Sequence, residues 1–150
     1  MSRRYPLLPV CAVGAVIFQG KRVLLVRRGK PPSQGKWSLP GGRVRLGETL
    51  EAAIIRETKE ETHLVVNPLQ VGKVVQHIFK DVNNNIQYHY VIVDYVCQII
   101  EGLPQPASDA SQLDFVEINK LDQVDMTTGT AEIIQEIFNK TWPGGTKPRW

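Results

Sequence analysis

The sequence is short of the features that would place it in several protein classes. Only two cysteines, Cys11 and Cys97, occur in 150 residues, and neither belongs to a CxxC pair or a Cys/His cluster. That excludes a structural zinc site and a disulfide framework. Each cysteine lies in an apolar stretch, which predicts a buried free thiol. Aromatic residues make up 7% of the chain, too few for a basic stripe interleaved with stacking rings, so no stable nucleic-acid complex is expected. The charge excess is small, +3 with a pI near 9.0, and part of it comes from the ends, through Arg3, Arg4, Lys147 and Arg149. No apolar run approaches the ~18 to 20 residues of a membrane span. The opening Met-Ser-Arg-Arg-Tyr-Pro lacks the apolar core and small-residue cleavage site of a secretory leader, so a cytoplasmic location is expected. What is present is ordinary globular material, 42% hydrophobic and 22% charged. It is enough for one domain with one core, spanning about residues 10–139.

The apolar runs from Val10 to Phe18 and from Val23 to Val26, separated by Gly20 and Lys21, predict a hairpin of buried strands. Gly29 to Gly35, with two prolines and a serine, reads as a loop. After Gly47, Thr49 can cap a helix. Leu50, Ala53, Ile54 and Thr58 fall at helical spacing, so a helix is expected from Thr49 to Thr62. The runs Val71 to Phe79 and Tyr88 to Ile100 flank a turn-forming stretch, Asp81 to Asn85, and predict two further strands. A loop from Gly102 to Ser111, a short strand from Leu113 to Ile118 and a helix from Thr130 to Asn139 complete the pattern. The Pro/Gly-rich tail from Pro143 to Trp150 reads as loose. This order predicts an α/β protein with a mixed sheet covered by helices.

The chemistry concentrates in Gly42 to Leu64. At 3.6 residues per turn, Glu57, Glu60 and Glu61 stand at i, i+3 and i+4 and bring three carboxylates to one helix face. Left alone, that face is a solvated acidic surface; given a counter-charge from outside the helix, hard oxygen donors favour Mg²⁺ or Mn²⁺. The surroundings favour the second reading. Arg56 lies four residues before Glu60 and can orient it, and Glu48 precedes the helix where the chain can fold back toward Arg56. Gly41 and Gly42 form a loop without side chains, whose backbone can approach an ion or a phosphate. A divalent ion beside a glycine loop points to phosphate chemistry.

This segment resembles the signature of the Nudix hydrolases, which cleave nucleoside diphosphates linked to another moiety. Gly42, Glu48, Arg56, Glu57, Glu60, Glu61 and Leu64 match the family pattern in type and spacing. A chance match of the six Gly, Glu and Arg positions is on the order of one in 10⁷ per starting position. Thr58 stands where the family has an aliphatic residue. His63 stands where it has a glycine, a position that ends the helix in a left-handed conformation. Val23 to Gly29 and Gly35 to Gly42 also look like the family's second strand and its run into the motif. The resemblance implies the family's α/β/α sandwich. It implies that Glu57 and Glu61 bind the metal with the Gly41 carbonyl, that Glu60 shares the metal or water network, that Arg56 orients it and that Glu48 braces Arg56. Water activated at the metal would then attack one phosphorus of a diphosphate.

Other positions carry two readings each. Arg27, Arg28 and Lys30 can reach substrate phosphate or form a solvated basic loop. Trp37 can stack on a base or ribose, although Leu39 and Pro40 beside it favour packing. The family often takes a further acid from a later segment as base or ligand; Asp109 is the first choice, ahead of Asp114 and Glu117. His77 and His89, on expected strands, read as hydrogen-bonded structural residues. The resemblance implies a small nucleotide as substrate, with ADP-ribose or a nucleoside diphosphate sugar as the lead. The proline that ADP-ribose-cleaving members commonly carry about 15 residues past the motif is missing; Phe79 and Lys80 stand there. Pyrophosphohydrolysis of nucleoside triphosphates is the alternative within the enzyme class, and a nucleotide sensor without catalysis is the alternative outside it. A homodimer, reached through the N-terminal arm or the Trp150 tail, is a further expectation.

Overall fold

In the computed structural model of the chain, residues 3–141 are described. The expectation for the tail from Pro143 to Trp150, including its role in a dimer, lies outside them. Seven strands and two α-helices are found among the described residues: β1 (Val10–Gln19), β2 (Arg22–Arg28), β3 (Trp37–Ser38), β4 (Gly41–Arg43), α1 (Leu50–Thr62), β5 (Val65–Lys80), β6 (Ile86–Glu101), β7 (Ala110–Glu117) and α2 (Thr130–Thr141), with a 3₁₀ turn at Ile118–Gln123 before α2. β1 runs parallel to β6 over Val10 to Ile17, whereas the other pairings between these strands are antiparallel, so the sheet is mixed.

β1 is central, and its residues from Ala12 to Phe18 are buried on both faces, which explains its unbroken apolar run. Its odd positions, Val13, Ala15 and Ile17, pack with Ala53 and Ile54 of α1. Its even positions, Val16 and Phe18, pack with Ile134 and Ile137 of α2. The period of two along the strand thus builds a core on each side of the sheet, and the result is the expected α/β/α sandwich. Along its free edge β1 forks. Phe18 and Gln19 pair with β2, while Ala12 to Gly14 pair with β4. β2 turns away and carries β3 and β7.

The structure corrects several expectations. β5 begins at Val65 rather than Val71 and runs through Pro68. It lies at the end of the strand order, and its register shifts between Pro68 and Gln70, the setting in which a strand tolerates proline. β7 starts at Ala110, and the short strands β3 and β4 were not expected from sequence. Cys97 is buried and its thiol is pushed up to about 12 by desolvation, as anticipated for an inert core thiol. Cys11 is exposed instead. It shares a face with Val13 and Ala15 but lies before the stretch of β1 that joins the α1 core cluster.

Both departures from the family pattern in α1 are accommodated. His63 ends the helix in the left-handed region at φ 62°, and its N–H donates to the Lys59 carbonyl. Thr58 is fully buried, and its Oγ1 has no hydrogen-bond partner among the described residues. A buried hydroxyl without a partner costs more than the methyl that would replace it. Thr58→Val should therefore stabilise the fold by about 1 kcal/mol. The corresponding rise in Tm of roughly 2–4 °C is measurable by calorimetry, and a fall would show that the hydroxyl contributes to packing or bonding.

Candidate active site

Helix α1 and the two glycines of β4 build the site. Thr49 caps α1, its side chain accepting from the Ala52 N–H at 3.1 Å. This fixes where the helical phase starts and hence which way Glu57 and Glu61 face. On β4, Ala15 N–H donates to the Pro40 carbonyl and Val44 N–H donates to Cys11. In an antiparallel ladder alternate residues bond to the partner, so Gly41 turns its N–H and C=O away from β1. Its N–H meets the Glu61 carboxylate, and its C=O aims the same way. Neither glycine can be replaced without displacement. A Cβ at Gly41 would strike the Val13 carbonyl, and one at Gly42 would strike the Glu57 carboxylate.

Arg56 ties the acidic residues together. Its Nε donates to Glu48 Oε2 at 2.7 Å and its Nη2 to Glu48 Oε1 at 2.9 Å, a bidentate pair. Nη2 also donates to the Arg43 carbonyl at 3.0 Å, and Nη1 donates to Glu57 Oε1 at 2.8 Å and to Glu60 Oε2 at 3.4 Å. The hydrogen bonds from Arg56, followed by the Arg45 N–H, hold the Glu48 carboxyl at about 2. These carboxylates in turn raise the pKa of Arg56. The expected brace between Glu48 and Arg56 is therefore present in the geometry.

Glu60 meets Arg56 as its spacing anticipated, but it stands apart from Glu57 and Glu61. It is 41% exposed and faces Arg56 and Arg45, at 3.4 and 3.8 Å, rather than joining Glu57 and Glu61. Of the three helix glutamates, Glu57 and Glu61 line the cleft and Glu60 does not. Glu61 is 7% exposed, and its carboxyl is pushed up to about 8, first by burial and then by Glu57; the Gly41 N–H and Arg28 pull the other way. No three His, Cys, Asp or Glu side chains among the described residues form a ready cage. Two crowded carboxylates beside an inward-facing backbone carbonyl nonetheless suit a hard divalent cation such as Mg²⁺, which takes one or two carboxylates and completes its shell with other oxygens.

Cations line the same cleft. Arg28 donates from Nε to the Pro32 carbonyl at 2.7 Å and lines the cleft, where burial lowers its pKa and the charges of Glu61 and Asp109 offset part of that. Lys30 pairs with Asp109 at 2.9 Å, and both line the cleft. The first-choice acid from the later loop is thus brought to the site. Asp114 and Glu117 are exposed on β7, outside the cleft lining, and Glu117 pairs with Lys120. Arg27 is also turned away. Successive strand residues point to opposite faces, and Arg27 donates to the Gly35 carbonyl at 2.8 Å and to Gln112 at 3.1 Å. Trp37 packs against the α2 core cluster and does not line the cleft, which agrees with the favoured packing reading and removes the alternative stacking role. His77, read from sequence as structural, lines the cleft and stacks on Phe79. Asp94, Gly14 and Tyr90 also line it and were missed from sequence. A lone carboxylate within the apolar run Tyr88 to Ile100 was the available signal for Asp94.

A pH dependence follows for the metal-free protein. A carboxyl raised from 4.5 to about 8 contributes stability that is complete below 4.5 and is lost as pH rises through 8. Asp94, raised from 3.8 to about 6, acts in the same direction over a lower window. Glu48 acts oppositely, losing its contribution as pH falls from 4.5 toward 2. The Tm in EDTA should therefore fall between pH 6 and 9, and saturating Mg²⁺ should flatten that fall. A Tm independent of pH in EDTA would contradict the buried, crowded state of Glu61.

Comparison with known proteins agrees with this geometry. The family model described as NUDIX domain matches residues 9–137. The chain is 31% identical over 121 residues to the ADP-ribose pyrophosphatase of Methanocaldococcus jannaschii, covering 81% of this chain and 69% of that protein. Among solved structures, a MutT NUDIX hydrolase from Burkholderia pseudomallei superposes with a TM-score of 0.75 at 30% identity, covering 86% of this chain and 98% of that one. An ADP-ribose pyrophosphatase from Streptococcus suis gives 0.70 at 25% identity, covering 91% and 95%. The chain belongs to the Nudix hydrolase family and is a hydrolase of phosphoric anhydride bonds. No helix among the described residues is long and apolar enough to cross a membrane.

Proposed function

We propose that the protein hydrolyses the diphosphate bond of ADP-ribose or a related nucleoside diphosphate sugar, with Mg²⁺ or Mn²⁺ as cofactor. The observation that carries this reading is that one cleft is lined both by the Glu57 and Glu61 carboxylates and by the cations of Arg28 and Lys30. Arg28 and Lys30 would bind the oxygens of a diphosphate, and Glu57, Glu61 and the Gly41 carbonyl would hold the divalent ion. When bound, that ion neutralises phosphate oxygens and lowers the pKa of water. Arg28, anchored by its bond to Pro32, has a guanidinium suited to phosphate. Arg56 keeps Glu57 in one orientation, Glu48 keeps Arg56 in place, and Glu60 extends the network to the rim. Asp109, held beside Lys30, is the acid we assign to accept the proton of the attacking water. Water adds to one phosphorus as the bridging P–O bond breaks, giving AMP and ribose 5-phosphate from ADP-ribose. The relatives named ADP-ribose pyrophosphatase support this choice of substrate.

The test is a comparison of kcat/KM for ADP-ribose, other nucleoside diphosphate sugars and nucleoside triphosphates with Mg²⁺ present. The reading predicts preference for a nucleoside diphosphate sugar, with a nucleoside monophosphate and a sugar phosphate as products. Release of inorganic pyrophosphate from triphosphates as the dominant reaction would replace it with the triphosphate reading. Binding without turnover of any of them would favour a sensor.

A further inference from the structure

Past the acidic helix face the cleft continues over Gly14 to the α2 side of the sheet, and its walls change. There β5 and β6 set Val75 beside Ile92 and His77 beside Tyr90, and all four line the cleft. At the inner end of this apolar and aromatic slot is Asp94, 4% exposed. Its carboxylate fills the space where a Gly14 Cβ would be, so Gly14 is required for it to fit. It has no hydrogen-bond or ion-pair partner among the described residues, and burial alone pushes its carboxyl up to about 6. A buried carboxylate without a partner costs stability, and packing does not explain it, because Val96, two residues on along the same face, joins the α2 core as a plain hydrocarbon.

We propose that Asp94 is the specificity-determining residue of a nucleobase slot, where its carboxylate accepts a hydrogen bond from an exocyclic amino group of the base. This rests on the reading that the substrate is a nucleoside diphosphate. An apolar slot with aromatic walls takes a planar ring. An ionised carboxylate offers acceptors only, so it requires a donor on the base edge and disfavours an oxo group in the same place. The placement is consistent with the site. Asp94 pairs in register with Gly14, and Gly14 with Gly41, which puts Asp94 two strand spacings, about 10 Å, from the glycine at the acidic face. A nucleoside can then lie across the sheet with its phosphate end toward Glu57 and Glu61.

The experiment is calorimetric binding of AMP, IMP and 2′-deoxy-AMP to the wild type and to Asp94→Asn and Asp94→Leu, all in EDTA. The wild type should bind AMP at least ~10-fold more tightly than IMP, because the amino group becomes an oxo group. In Asp94→Asn the amide can donate to that oxo group, and the preference should vanish or invert. Asp94→Leu should lose at least ~10-fold in AMP affinity. Both variants should melt no lower than the wild type, which separates a lost contact from a lost fold. An unchanged AMP-to-IMP ratio in Asp94→Asn would overturn the proposal. So would a larger loss for 2′-deoxy-AMP than for IMP in the wild type, which would mean that the carboxylate reads the sugar. Because binding is read without turnover, a change in this ratio in a protein inactive on ADP-ribose would retain the slot and discard the proposed reaction. Turnover without such a change would do the reverse.

Discussion

Glu61→Gln should lower kcat on the preferred diphosphate substrate by roughly 10³-fold or more, while the metal-free protein becomes more stable. The two effects have one cause. Glu61 is buried beside Glu57, and its carboxyl is raised to about 8 because ionising it there is costly. A glutamine of the same shape removes that cost, so the Tm in EDTA at pH 8 should rise by a few degrees. The amide cannot supply the negative charge that a hard divalent ion requires, so the variant would hold that ion more weakly. Charge stabilisation of this kind is usually the largest single contribution to catalysis, and removal of one such group costs at least ~10²–10³ in kcat. A variant that lost activity together with stability would point to a structural role for Glu61. A variant that kept full activity would remove it from the site.

Arg56→Ala should destabilise the protein and lower its Tm by several degrees, because it removes the cation shared by Glu48 and Glu57. Arg56 is 18% exposed, and its partners Glu48 and Glu57 are 15% and 13% exposed. Truncation leaves two largely buried carboxylates without their cation, and the Arg43 carbonyl loses its donor. Urea or thermal unfolding at pH 7.5 measures the effect. Arg56→Lys should recover only part of it, because a single ammonium cannot reproduce the bidentate contact with Glu48 while also reaching Glu57. Equal stability of Arg56→Ala and the wild type would mean that the acidic residues find other partners in solution.

The parts of this site that follow one local rule were legible in the sequence. Helical spacing placed Glu57 and Glu61 on one face, the Thr49 cap fixed the start of α1, and the spacing of Glu48 from Arg56 anticipated their ion pair. Positions that depend on how distant strands meet were not legible. Glu60 shares the helical spacing, but Arg45 and Arg56 hold it at the rim. Arg27 and Arg28 are adjacent in sequence, and only the direction of β2 decides which one enters the cleft. Cys11 looked buried because hydropathy does not show where along β1 the cover of α1 ends. Asp94 joins the cleft through the parallel pairing of β1 with β6, strands about 80 residues apart, and through the absence of a side chain at Gly14.

The most direct measurement is a calorimetric titration of Mn²⁺ into the wild type, Glu57→Gln and Glu61→Gln at pH 7.5, repeated in two buffers of different ionisation enthalpy. If Glu57 and Glu61 hold the catalytic ion, each variant loses at least ~10-fold in affinity, and wild-type binding releases protons because the ion displaces the one retained by Glu61. Equal Mn²⁺ affinity in all three proteins, with no proton release, would contradict the assignment of the metal site to this face of α1.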